Sequence, residues 1–292
     1  MSDLINKILV PTDFSKSAHA AVEAAASLAK KLKAELLLLH VTDLPGYGSF
    51  QLEEDYQSVN VEQLAGKIAE EKMEALLSES FLKGVKVDTL IRLGKVYRTI
   101  LKEAAEQGAD MITMGTHGLS GFDKFILGSN TEKIVQLSEL PVLTLKDPIN
   151  MAGIKNIVFA SNFYDEVSLS FPTIYQFIEL FKAKLHLLKV ITADSFEPTY
   201  YSKKLMEDFA ESFLLKGVTF DIVNDRTIEE GIDRYCREHQ IDLIAMTTHG
   251  RKGMAHFLSG SLAEQVGQTT SFPVLSMKMT KAKVPVGVIF PD

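Results

Sequence analysis

Residues 5–41, INKILVPTDFSKSAHAAVEAAASLAKKLKAELLLLHV, align without a gap to residues 154–190, IKNIVFASNFYDEVSLSFPTIYQFIELFKAKLHLLKV. The correspondence goes on: DMITMGTHG matches DLIAMTTHG, LGSNTE matches LSGSLAE, and ELPVLTL matches SFPVLSM. Self-similarity on this scale means that one structural plan is used twice, so the fold of one copy gives the fold of both. The stretch KDPINMAGIK, with Pro148 and Gly153, interrupts the pattern and places the expected boundary between residues 1–147 and 148–292.

Within a copy, KILV and ELLLLHV are nearly continuous apolar runs, as expected of parallel strands covered on both faces by helices. Between them Ala18, Ala21, Val22, Ala25, Leu28, Ala29 and Leu32 recur at helical spacing, which makes a right-handed βαβ unit. The pattern continues with a helix over roughly residues 62–82, a strand in VKVDTLIRL and a helix from Val96 to Gln107. A strand at MITM, a helix after Ser129 and a strand in PVLTL complete the copy. The fold class is therefore α/β, with two doubly wound, five-stranded parallel sheets in tandem. Sheets of this kind take ligands beyond the carboxyl ends of their strands, where the strand order reverses.

Composition narrows the function. The net charge of −7 and the lack of long Lys/Arg runs argue against nucleic acid as a partner. No apolar run is long enough to cross a bilayer, and MSDLINKILV does not read as a signal sequence. A cytoplasmic location without a membrane partner is the expectation. The single cysteine, Cys236, lies in a helical pattern and is expected to pack rather than react.

The ligand side of the first copy carries an unusual loop. GTHGLSGFDKFILGSNTEK, residues 115–133, follows the fourth strand and ends at a helix start. Glycines there let the backbone approach an anion and permit positive φ, and the free N–H groups of a helix start suit phosphate. The spacing is neither GxxxxGK[ST] nor GxGxxG. It is G-x2-G-x9-G-S, set by Gly115, Gly118, Gly128 and Ser129.

With VPTDFS after the first strand and PVL in the fifth, this loop resembles that of the universal stress protein family in its tandem form, over nearly the whole chain. The resemblance implies an ATP-binding fold in a stress-linked regulatory protein and dimer-like association of the domains; Asp13 is a carboxylate that could meet ribose hydroxyls or help hold Mg2+ with the ATP. Carried over by position, it puts Pro11, Thr12 and Asp13 near the nucleoside and the backbone of Val41 at the adenine. Gly115, Gly118, Gly128, Ser129, Asn130 and Thr131 would surround ribose and phosphates. Leu119 stands where many members have Arg, so one phosphate contact is in doubt.

A purely structural reading of the same residues exists. Ser129 and Glu132 fit a capping box, kept as Ser261 and Glu264, and His117 and His249 fit a role in orienting their loops. Neither His has a further ligand at metal-binding spacing, so no metal site of the protein's own is expected.

The copies also differ where a ligand would lie. Asp13 becomes Asn162, Pro11-Thr12 becomes Ala160-Ser161, Gly115 becomes Thr247, and Gly94 aligns with about Arg226. The first copy is thus expected to bind ATP and the second to be degenerate, the two forming an internal pseudo-dimer that could pair again as a homodimer. A weak ATPase or autophosphorylating protein is the second functional reading, and a nucleotide-free scaffold the third. The segment from Asp43 to Asn60 reads as a connection over the site. Phe163, Tyr164, Phe171, Tyr175, Phe177 and Phe181 read as a core stripe on one helix, and the valine-rich tail KAKVPVGVIFPD as an edge-strand candidate.

Overall fold

The computed structural model describes residues 5–43, 56–116, 128–248, 266–267 and 270–278. The first copy runs β1 (Lys7–Pro11), α1 (Lys16–Leu32), β2 (Glu35–Thr42), α2 (Tyr56–Leu77) and β3 (Val87–Leu93), then α3 (Val96–Glu106), β4 (Met111–Gly115), α4 (Ser129–Leu137) and β5 (Val142–Leu145). The second runs β6 (Asn156–Ala160), α5 (Asp165–Ser168), α6 (Phe171–Glu179), β7 (Lys184–Ile191) and α7 (Thr199–Ser212). It continues through β8 (Thr219–Asn224), α8 (Ile228–Glu238), β9 (Leu243–Thr248) and β10 (Val274–Lys278).

Each copy is the expected five-stranded, doubly wound parallel sheet. The two sheets also join, edge to edge, in one ten-stranded sheet of order β3-β2-β1-β4-β5-β10-β9-β6-β7-β8. The joint is antiparallel, with Thr144 opposite Val274, Leu143 opposite Leu275 and Val142 opposite Ser276. Because all other pairings are parallel, the carboxyl ends of the two sets of strands face opposite ways. Helices α1, α2, α6 and α7 cover one face through an apolar cluster drawn from both copies, and α3, α4 and α8 cover the other.

Helix α1 shows why this sequence folds as it does. The Ser15 hydroxyl accepts the Ala18 N–H at 3.2 Å and starts the helix, and Lys33 in the left-handed region (φ 60°) stops it. Six alanines on its buried side, from Ala18 to Ala26, bring its axis close to the sheet. In the second copy the corresponding helix is not continuous as expected. It divides into α5 and α6 around Leu169 and Ser170, where Pro172 supplies no backbone N–H for an uninterrupted helix. Helix α2 begins at Tyr56, earlier than expected, so the last residues of the presumed connection are helical; YQSVN contains neither Gly nor Pro to prevent it. It ends at Leu77, and a short 3-10 turn spans Ser80–Leu82.

The aromatic stripe is core except at one end. Phe171 contacts Phe159 and Phe209 at ring-centre distances of 4.9 and 4.6 Å, and Phe163 contacts Phe209 at 5.2 Å. Phe181 lies under the ammonium of Lys31 from the first copy, 4.6 Å from its ring centre. Tyr164 is exposed. Cys236 is fully buried on α8, where burial pushes its thiol up, in keeping with a packing role. Among the described residues no helix is long and apolar enough to cross a membrane.

On the far end of β7, His186 is buried where the first copy has Leu37. Its Nδ1 lies 3.1 Å from the Tyr235 hydroxyl and 2.9 Å from Thr219 Oγ1. The Tyr235 hydroxyl donates to Asp221 at 2.7 Å, so it accepts from His186, and the buried Nε2 has no partner. Burial therefore holds the imidazole below its ordinary pKa of 6.5, with Lys184 and His239 adding to the effect against Asp221. Below about pH 6.5 the unfolded chain takes up a proton that the folded chain resists, so stability declines as pH falls through that value. His186→Leu should flatten this part of the stability profile, measured as the urea midpoint between pH 7.5 and 5.5.

Candidate functional site

The first site element is the turn after β1. Thr12 Oγ1 accepts the Phe14 N–H at 3.0 Å, and Asp13 Oδ1 accepts the Ser15 N–H at 3.0 Å. Phe14 sits between them at φ 65°, and the turn delivers the chain into the cap of α1. The second copy repeats the geometry with other residues: Ser161 Oγ accepts from Phe163 N and Asn162 Oδ1 from Tyr164 N, each at 3.1 Å, with Phe163 at φ 62°. One role of Thr12 and Asp13 is therefore to wind this turn. What distinguishes the first copy is the carboxylate charge of Asp13.

Val41 lies near the end of β2, which outruns β1: Pro11 pairs with Leu39, while Val41 pairs only outward, with Arg92 of β3. His40 Nδ1 donates to the Thr12 carbonyl at 2.8 Å, and the rings of His40 and Phe14 are 4.7 Å apart. Arg92 was not apparent as a neighbour of the site from its spacing. Its Nε donates to the buried carboxylate of Glu103 on α3 at 2.7 Å, and this hydrogen bond holds Glu103 below the usual carboxylate range. The pair fixes β3 and α3 beside Val41. Gly94 closes the same end of β3 at φ 142°, and its N–H donates to the Thr42 carbonyl. In the second copy Asp225 makes the equivalent bond, to Ile191, and Arg226 is an extra residue before the cap Thr227.

Gly115 ends β4, next to β1, but its role differs from the one expected. Its φ does not lie in the positive range, and a Cβ there would stand 2.5 Å from the carbonyl carbon and oxygen of Ser17 and 2.9 Å from the Ala18 nitrogen. The space beside Gly115 is taken by the backbone of α1, so this glycine lets helix and strand pack closely rather than making room for phosphate. Its counterpart Thr247 lies near the end of β9, in the copy whose first helix is broken.

Helix α4 begins at Ser129, with Gly128 as its cap. The Gly128 N–H donates to the Thr116 carbonyl at 2.7 Å, and Thr131 Oγ1 donates to the Gly115 carbonyl at 3.1 Å. The expected capping box does not form: Ser129 occupies the first helical position, no side chain caps the helix, and Glu132 N bonds the Gly128 carbonyl. Ser129 is exposed and Asn130 partly so, at the positive end of the helix dipole. Pro11, Thr12, Asp13, Val41, Gly115, Gly128, Ser129, Asn130 and Thr131 thus gather at the carboxyl ends of three adjacent strands. Gly118, His117, Leu119, His249, Ser261, Glu264 and the tail lie outside the described residues.

Beside the β1 turn a cleft of about 290 Å3 opens between α1 and α2, lined by Thr12, Phe14, His19, Lys72 and Glu79 among others. His19 Nε2 lies 3.3 Å from Glu79, and the Lys72 ammonium is 5.6 Å from the centre of the Phe14 ring. At the corresponding end of the second copy, Lys189 replaces His40. Its ammonium donates to Glu197 Oε2 at 2.6 Å and to the Asn162 carbonyl at 3.1 Å.

A doubled five-stranded α/β unit with a spaced-glycine loop and a turn of this type defines a class. The universal stress protein family model matches residues 5–146 and 173–278, and the chain belongs to that family. It is 38% identical over 163 residues to a universal stress protein of Methanocaldococcus jannaschii, covering 50% of this chain and 98% of that one. A universal stress protein of Synechocystis sp. is 28% identical over 295 residues, covering 94% of this chain and all of the other. A solved universal stress protein structure from Archaeoglobus fulgidus superposes with a TM-score of 0.68 at 22% identity, covering 95% of this chain and 98% of that one, a likeness of fold. The second family match begins at residue 173, within α6.

Replacing Gly115 tests its packing role. Gly115→Ala should lower the unfolding free energy by about 1–3 kcal/mol without any nucleotide present, read from urea titration. An unchanged midpoint would mean that α1 yields to the added methyl.

Proposed function

We propose that this chain is an ATP-binding regulatory protein of the stress response, with the nucleotide held by the first unit, residues 1–147. The second unit, residues 148–292, acts as a degenerate partner that binds nucleotide weakly or not at all. The observation that carries this reading is the gathering of the β1 turn, Val41 and the open start of α4 at one end of the first copy. In this reading the backbone of Val41 meets the adenine, Asp13 the ribose, and the N–H groups of residues 129–131, with the Ser129 hydroxyl, the phosphates. Gly118 would join them from the glycine loop.

Among the described residues no group of three or more His, Cys, Asp or Glu side chains could hold a metal ion. Mg2+ would thus arrive with the phosphates, and Asp13 is the site carboxylate suited to meet it. Regulation follows if ATP prefers one arrangement of the turn and helix start over another, since a ligand shifts an equilibrium only by its difference in affinity.

The second copy suggests a clean test. Asn162 winds the same turn as Asp13, so Asp13→Asn should leave the unliganded protein's Tm unchanged while removing the charge. The protein purified from cells should release about one ATP per chain on denaturation and gain Tm with added ATP. Asp13→Asn should weaken ATP by roughly 10-fold to 100-fold, as loss of a hydrogen bond to a charged group does. A parent protein that releases no nucleotide and shows no ATP-dependent shift would overturn the proposal.

A further inference from the structure

The end of the second copy is filled by the chain itself. Lys189 on β7 keeps only 5% of its side chain exposed, and Glu197, from the connection between β7 and α7, keeps 17%. The Glu197 carboxylate is surrounded by donors. Lys189 Nζ lies 2.6 Å from Oε2, Ser202 Oγ donates to the same oxygen at 2.9 Å, and the Tyr164 hydroxyl donates to Oε1. The Tyr164 ring also lies 5.0 Å below the Lys189 ammonium. Burial alone would push this carboxyl up, but the bonds from Lys189, Tyr164 and Ser202 outweigh it and hold it below the ordinary carboxylate value.

An ammonium and two hydroxyls converging on two oxygens make a cradle for any small oxyanion, whether carboxylate or phosphate. Among the described residues of the first copy none corresponds to this arrangement: His40 stands where Lys189 does, Ser15 where Tyr164 does, and the longer connection after β2 enters α2 at Tyr56. The arm that brings Glu197 in is short and superficial. Its neighbours Phe196 and Tyr200 are 77% and 78% exposed, so the backbone on either side of the carboxylate is anchored by little apolar packing. A buried lysine left without its partner is costly, which gives the cradle a standing demand for a negative group.

We propose that the second copy holds an oxyanion site that is occupied in cis by Glu197, and that an external carboxylate or phosphate can take the place of that side chain. The second copy is then a site closed by its own chain, and the exposed aromatic rim of Phe196, Tyr200 and Tyr201 is the lip over which a ligand would enter. The inference does not depend on nucleotide binding in the first copy.

Chemical rescue tests it. Glu197→Ala empties the cradle and should lower Tm. At constant ionic strength, ~100 mM sodium acetate or sodium phosphate should then raise the Tm of this variant by about 2–4 °C relative to chloride, as expected for a site with a Kd of ~10 mM. Acetate against phosphate shows which oxyanion the cradle prefers. Glu197→Gln removes the same charge but fills the space, and should show no rescue. Glu197→Ala combined with Lys189→Met should show none either, which excludes anion binding in the first copy as the cause. If Glu197→Ala does not fold in chloride, its refolding yield with and without acetate gives the same reading. A Glu197→Ala variant that responds to acetate and phosphate no more than the parent protein would overturn the proposal and leave Lys189 and Glu197 as a structural ion pair.

Discussion

Three residue pairs between β5 and β10 set the arrangement of nearly everything else. By pairing antiparallel they use up the edge that each five-stranded sheet would otherwise expose, leaving β3 and β8 as the outer edges of a single sheet. The joint is reinforced by side chains that reach across it: Thr144 Oγ1 donates to the Val274 carbonyl, Ser276 Oγ to the Val142 carbonyl, and Lys278 pairs with Glu139. Away from the sheet, Asn150 accepts from Ser27 on α1 and ties the connection between the copies to the first one. The consequence for function is directional. Strands that run oppositely across the joint place their ligand ends on opposite edges of the sheet, so the two copies cannot share one crevice and are free to diverge.

How they diverge is governed by packing between helix and strand. In the first copy an alanine-rich helix presses its first turn onto β4, and only glycine at position 115 permits that distance. In the second copy Phe163, Phe171, Phe209 and Phe213 occupy the layer between helices and sheet, the helix is broken near Pro172, and a threonine at position 247 is accommodated. A single large-for-small exchange at the strand end thus accompanies a rebuilt helical layer. The turn after the first strand survives the change because its hydrogen bonds are local, made by whichever Ser, Thr, Asn or Asp stands at its first two positions.

The same contrast explains what could be read from sequence and what could not. Strands such as ELLLLHV and helices such as α3 follow from local periodicity, and the internal repeat fixed which elements correspond. The turn and the helix start of the candidate site were legible because each belongs to a short motif. Other features depend on partners distant along the chain. The edge pairing of β5 with β10 is invisible in either strand alone. Ser129 and Glu132 have the spacing of a capping box, yet the Gly128 N–H bond to Thr116 puts Gly128 at the cap. The reason for Gly115 lies in Ser17, nearly a hundred residues earlier, and Glu197 could not be connected to Lys189 without the fold.

Buried charge follows the same division between the copies. The first copy buries Glu103 against Arg92, a pair placed next to Val41, where it stiffens the end of the sheet that a ligand would use. At the aligned place in the second copy stands Tyr235, and its polar partners, Asp221 and His186, lie toward the amino ends of β7 and β8, away from the ligand end. The second copy instead buries its ion pair at the ligand end, between Lys189 and Glu197. Each buried ion must be met by an opposite charge or by hydrogen bonds, because leaving it alone in the interior costs several kcal/mol. In the first copy the internal pair lies beside the crevice and leaves its floor to Asp13 and the start of α4. In the second, the internal carboxylate stands in the crevice itself. The location of one buried carboxylate therefore distinguishes the two ends: beside the crevice in the first copy, within it in the second.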